Sequence, residues 1–147
     1  IRKHQPKIII TNSRKDRHPD HEAASRLVKK ACFLSGLVKI STKSEGKNQS
    51  PWRPKSILYS IQNNYVDPDF VIDITKFYDK KVEAINCFKS QFYDPKSKEP
   101  KSFISSKEFM NFINSRAIEM GHSIGTTYGE GFTSENKLQV SSLNSII

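Results

Sequence analysis

Three consecutive isoleucines, Ile8-Ile9-Ile10, flanked by Lys7 and Thr11, constrain this chain more than any other feature. β-Branched side chains are stiff at χ1 and favour extended backbone. A run without polar alternation is what a strand covered on both faces of a parallel sheet requires. A parallel neighbour is reached only by a crossover, usually a helix, and the sequence supplies one. After the polar stretch Asn12 to His18, a spacing of about 100° per residue places Ala24, Leu27, Val28, Ala31, Cys32 and Leu34 on one arc. Lys29, Lys30 and Phe33 fall outside it. Pro19 suits the first turn of that helix, and Ser35-Gly36 supplies its stop.

The remainder extends the same alternation. Residues 41 to 55, rich in Ser, Lys, Gly, Asn and Pro, read as a mobile surface loop. Two strands follow, Ser56 to Gln62 and, after the turn signal Asp67-Pro68, Asp69 to Ile74. Thr75 is placed to cap a helix running to about Ser90, with Phe77, Tyr78, Val82, Ile85 and Phe88 inward and Lys81 as a misfit on the same arc. Asp94 to Lys101 reads as a loop. A further helix starts near Ser105 or Ser106, where Glu108 would complete a capping box, and runs through Phe109, Phe112, Ile113, Arg116 and Met120 to a stop at Gly121. A glycine-rich stretch, Gly125 to Phe132, and a polar tail close the chain. Strands alternating with helices predict an α/β layered fold with a mainly parallel sheet.

Charge narrows the function classes. The chain has 147 residues, with 24 Lys and Arg against 15 Asp and Glu. The basic pairs Lys29-Lys30 and Lys80-Lys81 are separated by acids and apolar residues, and no glycine-aromatic motif of an RNA-binding sheet is present, so no nucleic-acid partner is expected. An anionic small substrate drawn in by the field fits the balance better. No run approaches the roughly 18 apolar residues of a membrane span. Cys32 and Cys87 are too few for a disulfide scaffold, which favours a cytoplasmic setting. The chain opens Ile1-Arg2-Lys3-His4, without Met or an apolar leader, and reads as the interior of a longer protein.

In an open α/β sheet, ligands bind where strands end and helices begin. There lies Asp16-Arg17-His18-Pro19-Asp20-His21, with two imidazoles, two carboxylates and a guanidinium within six residues. On the helical wheel His21 falls between Val28 and Cys32, so its ring is expected on the buried side of the helix, where neutral imidazole is a good zinc donor. Asp20 is well placed near the positive helix end and to accept a ring proton from either histidine. Taken alone, the same residues are more simply a capped helix with exposed or hydrogen-bonded histidines, and Arg17 equally a surface ion pair with Asp16 or Asp20.

The run Asp16 to His21, followed by an Ala-containing helix, resembles the second motif of the LmbE or PIG-L family of zinc-dependent N-acetylglucosamine deacetylases. Pro68 to Ile74, Lys89-Ser90-Gln91-Phe92 and Tyr128-Gly129-Glu130-Gly131-Phe132 resemble, in that order, the N-acetylglucosaminyl-malate deacetylases of bacillithiol synthesis. The resemblance implies a Rossmann-like fold, zinc as cofactor, hydrolysis of an N-acetyl group from a small-molecule glycoside, and homo-oligomers such as hexamers. It implies His21 as a zinc ligand, His18 as the group that protonates the leaving amine, and Asp20 as its support. Arg17 would bind a substrate carboxylate, and Arg53 and Tyr128 would contribute further substrate contacts.

The family's first motif, Ala-His-Pro-Asp-Asp-x-Glu, supplies two zinc ligands and the general base, and nothing in this sequence matches it. Asp67-Pro68-Asp69 lacks the histidine and precedes a strand. The expectation is therefore a carboxyl-terminal portion of a single deacetylase domain, with its amino-terminal strands missing and activity dependent on them. The alternative is an inactive binding or scaffold module of the same fold.

Overall fold

The structure is a computed structural model that describes residues 1–146. In chain order these form β1 (Ile8–Thr11), α1 (Pro19–Ser35), β2 (Lys43–Ser44), β3 (Lys47–Asn48), β4 (Ser56–Ser60), β5 (Phe70–Asp73), a 3-10 turn (Thr75–Phe77), α2 (Tyr78–Asn86), α3 (Lys107–Ser123), β6 (Gly129–Ser134) and a closing 3-10 turn (Leu143–Ile146). They divide into two compact units, residues 1–69 with the segment from Phe132 onward, and Phe70–Gly131. Among the described residues, no helix is long and apolar enough to cross a membrane.

In the first unit β4 is the central strand. It runs parallel to β1, with Ile8 paired to Ser56 and Thr11 to Tyr59, and antiparallel to the end of β6, with Leu58 paired to Ser134 and Ser60 to Phe132. Helix α1 is the crossover between the parallel pair and packs against β1. The layered α/β architecture is thus present, with an antiparallel strand contributed by residues that read as a glycine-rich loop. Leu58, Tyr59, Cys32 and Phe132 form its apolar core. Tyr59 is 1% exposed, and its hydroxyl donates to Glu135 Oε2 at 2.6 Å, while Glu135 Oε1 meets Lys29 Nζ at 2.5 Å.

Two expectations are corrected here. β1 is not covered on both faces: Ile8 and Ile10 are 56% and 60% exposed, alternating with half-buried Ile9 and Thr11. The pattern is that of a strand with one covered face. Helix α1 turns Leu27 outward, 70% exposed, because its most buried positions are Ser25 and Cys32, and Leu27 lies about 200° round the helix from Ser25. Small side chains let the helix approach the sheet, so hydrophobicity alone misplaced the arc.

The segment 41–55 contains the β2–β3 hairpin, whose turn residues Glu45 and Gly46 both take positive φ, 52° and 76°, as a tight two-residue turn demands. Arg2 holds this segment to the end of α1. Its buried guanidinium donates to the carbonyls of Ser35, Leu37 and Ile40 and to Thr42 Oγ1.

In the second unit α3 packs against β5. Helix α2 is shorter than its periodicity suggests. Asp73 Oδ1 accepts from the Thr75 N–H at 2.8 Å, a 3-10 turn intervenes, and the helix runs only from Tyr78 to Asn86. Lys81, the misfit on its arc, is matched by Glu130 at 2.7 Å. Ser106 caps α3, accepting from the Phe109 N–H at 3.1 Å, so Glu108 sits one residue early for a capping box. Gly121 does not stop α3, which continues to Ser123. Its role is close approach: a Cβ there would lie 2.7 Å from the Tyr128 backbone nitrogen.

Candidate functional site

The loop leaving β1 is tied to the loop leaving β4, its parallel neighbour, at one edge of the sheet. Gln62 Oε1 accepts from Asn12 Nδ2 at 3.1 Å and from the Ser13 N–H at 3.2 Å, and the Asn64 N–H donates to Asp16 Oδ1 at 3.1 Å. This bracing fixes the chain just before α1. His18 then adopts an extended backbone, φ −88° and ψ 123°, and caps the helix. Pro19 follows as the first helical residue, and Asp20 and Glu22 occupy the positive first turn.

Asp16 organises the entry to the helix. Its side chain is fully buried; Oδ1 takes the Arg17 and Asn64 N–H groups, and Oδ2 meets His21 Nδ1 at 2.5 Å. Burial pushes the Asp16 carboxyl up, but the hydrogen bonds from His21 and from the backbone of Arg17, Asn64 and Asn63 outweigh it and hold the group below the ordinary carboxylate range. The loop thus carries a buried carboxylate clamped on one imidazole. From sequence alone, Asp16 reads only as an ion-pair partner for Arg17. The spacing of five residues spans a loop and a helix cap, so neither a helical nor a strand period marks the pair.

His18 and His21 come together, with ring centroids 5.4 Å apart and planes inclined at 32°. The His21 side chain, expected along the buried side of the helix, is 32% exposed, and that of His18 is 50% exposed. His18 Nδ1 accepts from the Asp20 N–H at 3.3 Å. The Asp20 carboxylate is exposed and 3.8 Å from the same nitrogen, too long for a hydrogen bond. The carboxylate bonded to a ring is that of Asp16. Arg17 is exposed on the same loop.

Arg53 is not brought to the histidines. It lies over the Phe33 ring, 4.9 Å from its centroid, and Nη2 donates to the Phe33 carbonyl at 3.2 Å. Phe33 is twelve residues beyond His21 on α1, about 18 Å along the axis at roughly 1.5 Å per residue. Tyr128 belongs to the second unit, where it stacks on Tyr78 at 3.8 Å and 9°.

His21, with one ring nitrogen against a buried carboxylate and the other away from it, fits a single metal-ligand position. Among the described residues no group of three His, Cys, Asp or Glu side chains stands close enough to hold a metal ion.

No protein-family model matches the chain. Among solved structures it is similar to the conserved protein TT1542 from Thermus thermophilus, at 28% identity and a TM-score of 0.77 over 95% of this chain and 57% of that one. It is also similar to the N,N'-diacetylchitobiose deacetylase of Pyrococcus horikoshii, at 23% identity and 0.70, covering 99% and 52%. A third is GalB, the 4-carboxy-2-hydroxymuconate hydratase of Pseudomonas putida, at 20% identity and 0.67, covering 97% and 57%. These likenesses define the class: a Rossmann-like α/β fold, as the resemblance of the sequence motifs implies, built on the layered α/β architecture expected from the alternation of strands and helices. The chain spans little more than half the length of the proteins it resembles. A deacetylase and a hydratase share this fold, so the reaction has to be argued from the site.

Proposed function

We propose that this chain is the carboxyl-terminal part of a zinc-dependent deacetylase of the LmbE or PIG-L kind, acting on an N-acetylglucosamine conjugate, with N-acetylglucosaminyl-malate as the substrate of choice. The observation that carries the reading is the His21 ring, bonded through Nδ1 to buried Asp16 and paired with His18 where the strand β1 gives way to α1. The likeness to a diacetylchitobiose deacetylase supports it at the level of fold.

His21 would hold the metal through Nε2, while the remaining ligands and the general base come from residues outside the described set. Bound zinc supplies Lewis-acid polarisation to the amide carbonyl and to water. As the carbonyl carbon gains the water oxygen and its bond to nitrogen breaks, that nitrogen needs a proton, and protonated His18 gives it from Nε2. His18 Nδ1, which accepts the Asp20 N–H at 3.3 Å, has to release it to carry the second ring proton, and the exposed Asp20 carboxylate, 3.8 Å away, then helps by its charge and not by a hydrogen bond. Products are acetate and the free amine. Arg17, at the rim of the same loop, suits a substrate carboxylate such as that of malate because its planar fork matches two oxygens.

The test is acetate release from N-acetylglucosaminyl-malate by the zinc-loaded protein that carries this chain. Zinc-dependent release supports the reading. Absence of release from this and other N-acetylated sugars, with zinc bound, overturns it in favour of another reaction or of an inert module on the same fold.

A further inference from the structure

The segment Lys89-Ser90-Gln91-Phe92 takes no part in the chemistry assigned to the histidines. In the second unit, Lys89 stands on the wall of a cavity of about 520 Å3, where the end of α2 and the turns after it meet α3. That volume is in the range of small-molecule sites. Aromatic contacts fasten the wall. Phe92 lies 6.2 Å from Phe109 and 6.5 Å from Phe88, centroid to centroid, so the chain between Lys89 and Tyr93 is tied to the helix that carries Met110. Asp94 closes the next turn: its carbonyl accepts the Ser97 N–H at 3.1 Å, and its Oδ1 accepts the Lys96 N–H at 2.9 Å.

Lys89 and Lys96 both line this cavity, beside Asn86, Tyr93, Asp94 and Met110. Among the described residues, Asp94 forms an ion pair with neither lysine, and no protein group bonds to either ammonium, the Asn86 side-chain amide or the Tyr93 hydroxyl. Two ammonium groups on one cavity repel each other, and an anion between them is attracted by both. A phosphate monoester, with a charge of about −1.5 to −2 at pH 7, matches the pair. The Asn86 amide and the Tyr93 hydroxyl can donate to its oxygens. The space is far larger than a bare phosphate fills, and the Tyr93 ring and the Met110 thioether give it an apolar side. We propose that this cavity binds a small organic phosphate monoester, its anionic head held by Lys89 and Lys96 and its body laid against Tyr93 and Met110. The site stands whether or not the histidines hold zinc.

The experiment is isothermal titration of the protein that carries this chain with phenyl phosphate, and separately with its two halves, inorganic phosphate and phenol. Phenyl phosphate should bind at a single site, inorganic phosphate more weakly, and phenol not measurably. Lys89 and Lys96 are exposed, so their replacement leaves the packing intact. The double variant Lys89→Gln/Lys96→Gln should bind phenyl phosphate about 10-fold more weakly or worse, two lost charged contacts being worth that much. The control Lys39→Gln/Lys80→Gln removes the same charge from exposed positions elsewhere and should bind as the native protein does. Tyr93→Ala should weaken phenyl phosphate and leave inorganic phosphate unchanged. No binding of phenyl phosphate by the native protein overturns the proposal. So does an equal loss in the two double variants, which would make the attraction one of net charge, and so does inorganic phosphate binding as tightly as phenyl phosphate, which would leave the organic body without a place.

Discussion

Tyr59 reaches Glu135 across the first unit with a 2.6 Å hydrogen bond, joining the centre of β4 to the residue after β6, and Lys29 of α1 closes on the same carboxylate. The Tyr59 ring is almost wholly buried beneath Arg14, whose guanidinium carbon lies 4.9 Å from the ring centroid. Burial, and then the Glu135 carboxylate, push the phenol far above its ordinary range, so it stays a neutral donor. Tyr59→Phe should cost about 1.5–3 kcal/mol, the usual worth of a hydrogen bond to a charged group. Urea denaturation of the variant checks this, and an unchanged midpoint would show that Lys29 alone satisfies Glu135.

The same carboxylate predicts an acid limb in stability. Burial pushes Glu135 up, but Lys29 and Tyr59 together hold it below the ordinary range. A folded-state value below the unfolded one means that the unfolded chain binds the extra proton. The stabilisation is therefore present above the unfolded value, about 4.3, and is lost as pH falls through the folded one. Denaturation midpoints between about pH 3 and pH 6 should fall less steeply in Glu135→Gln than in the native protein.

Gly121 and Gly129 allow α3 and the start of β6 to touch. A Cβ on Gly121 would stand 2.7 Å from Thr127 and Tyr128 backbone atoms, and one on Gly129 would stand 2.7 Å from the Gly121 nitrogen and the Met120 carbonyl carbon. Gly121→Ala should destabilise by about 1–3 kcal/mol in spite of alanine's helix propensity, because backbone must move. Gly46→Ala, with open space around it and a φ of 76°, should cost about 1–2 kcal/mol for conformational reasons alone. Thermal unfolding of the two variants separates clash from strain.

His18 and His21 should fail differently. In a protein carrying this chain, His21→Ala should lose zinc, whereas His18→Ala should retain it and lose turnover by about 100- to 10,000-fold. Zinc content by atomic absorption, measured beside acetate release, distinguishes them; the opposite pattern exchanges their roles.

The parts legible in the sequence are those fixed by local periodicity. The isoleucine run of β1, the crossover α1 and the strand β4 follow from patterns of two and of 3.6 residues, and Ser106 is a helix cap by its chemistry. β6 was hidden, because Gly129-Glu130-Gly131 reads as loop and becomes strand only through its neighbours. Leu27 misled because α1 packs through Ser25 and Cys32. At the site, His18 and His21 were legible as neighbours at the start of a helix, although the His21 ring is less buried than its place on the helical wheel suggests, whereas Asp16 was not: its value comes from Asn64, far along the chain, and from a turn that no period encodes.

The central claim is that His21 ligates zinc through the nitrogen opposite Asp16. Anomalous diffraction at the zinc edge, on crystals of the zinc-loaded protein that carries this chain, tests it directly. The account predicts a peak about 2.0–2.1 Å from His21 Nε2 with Nδ1 still on Asp16; a zinc peak elsewhere, with the His21 ring bound only to protein or water, would contradict it.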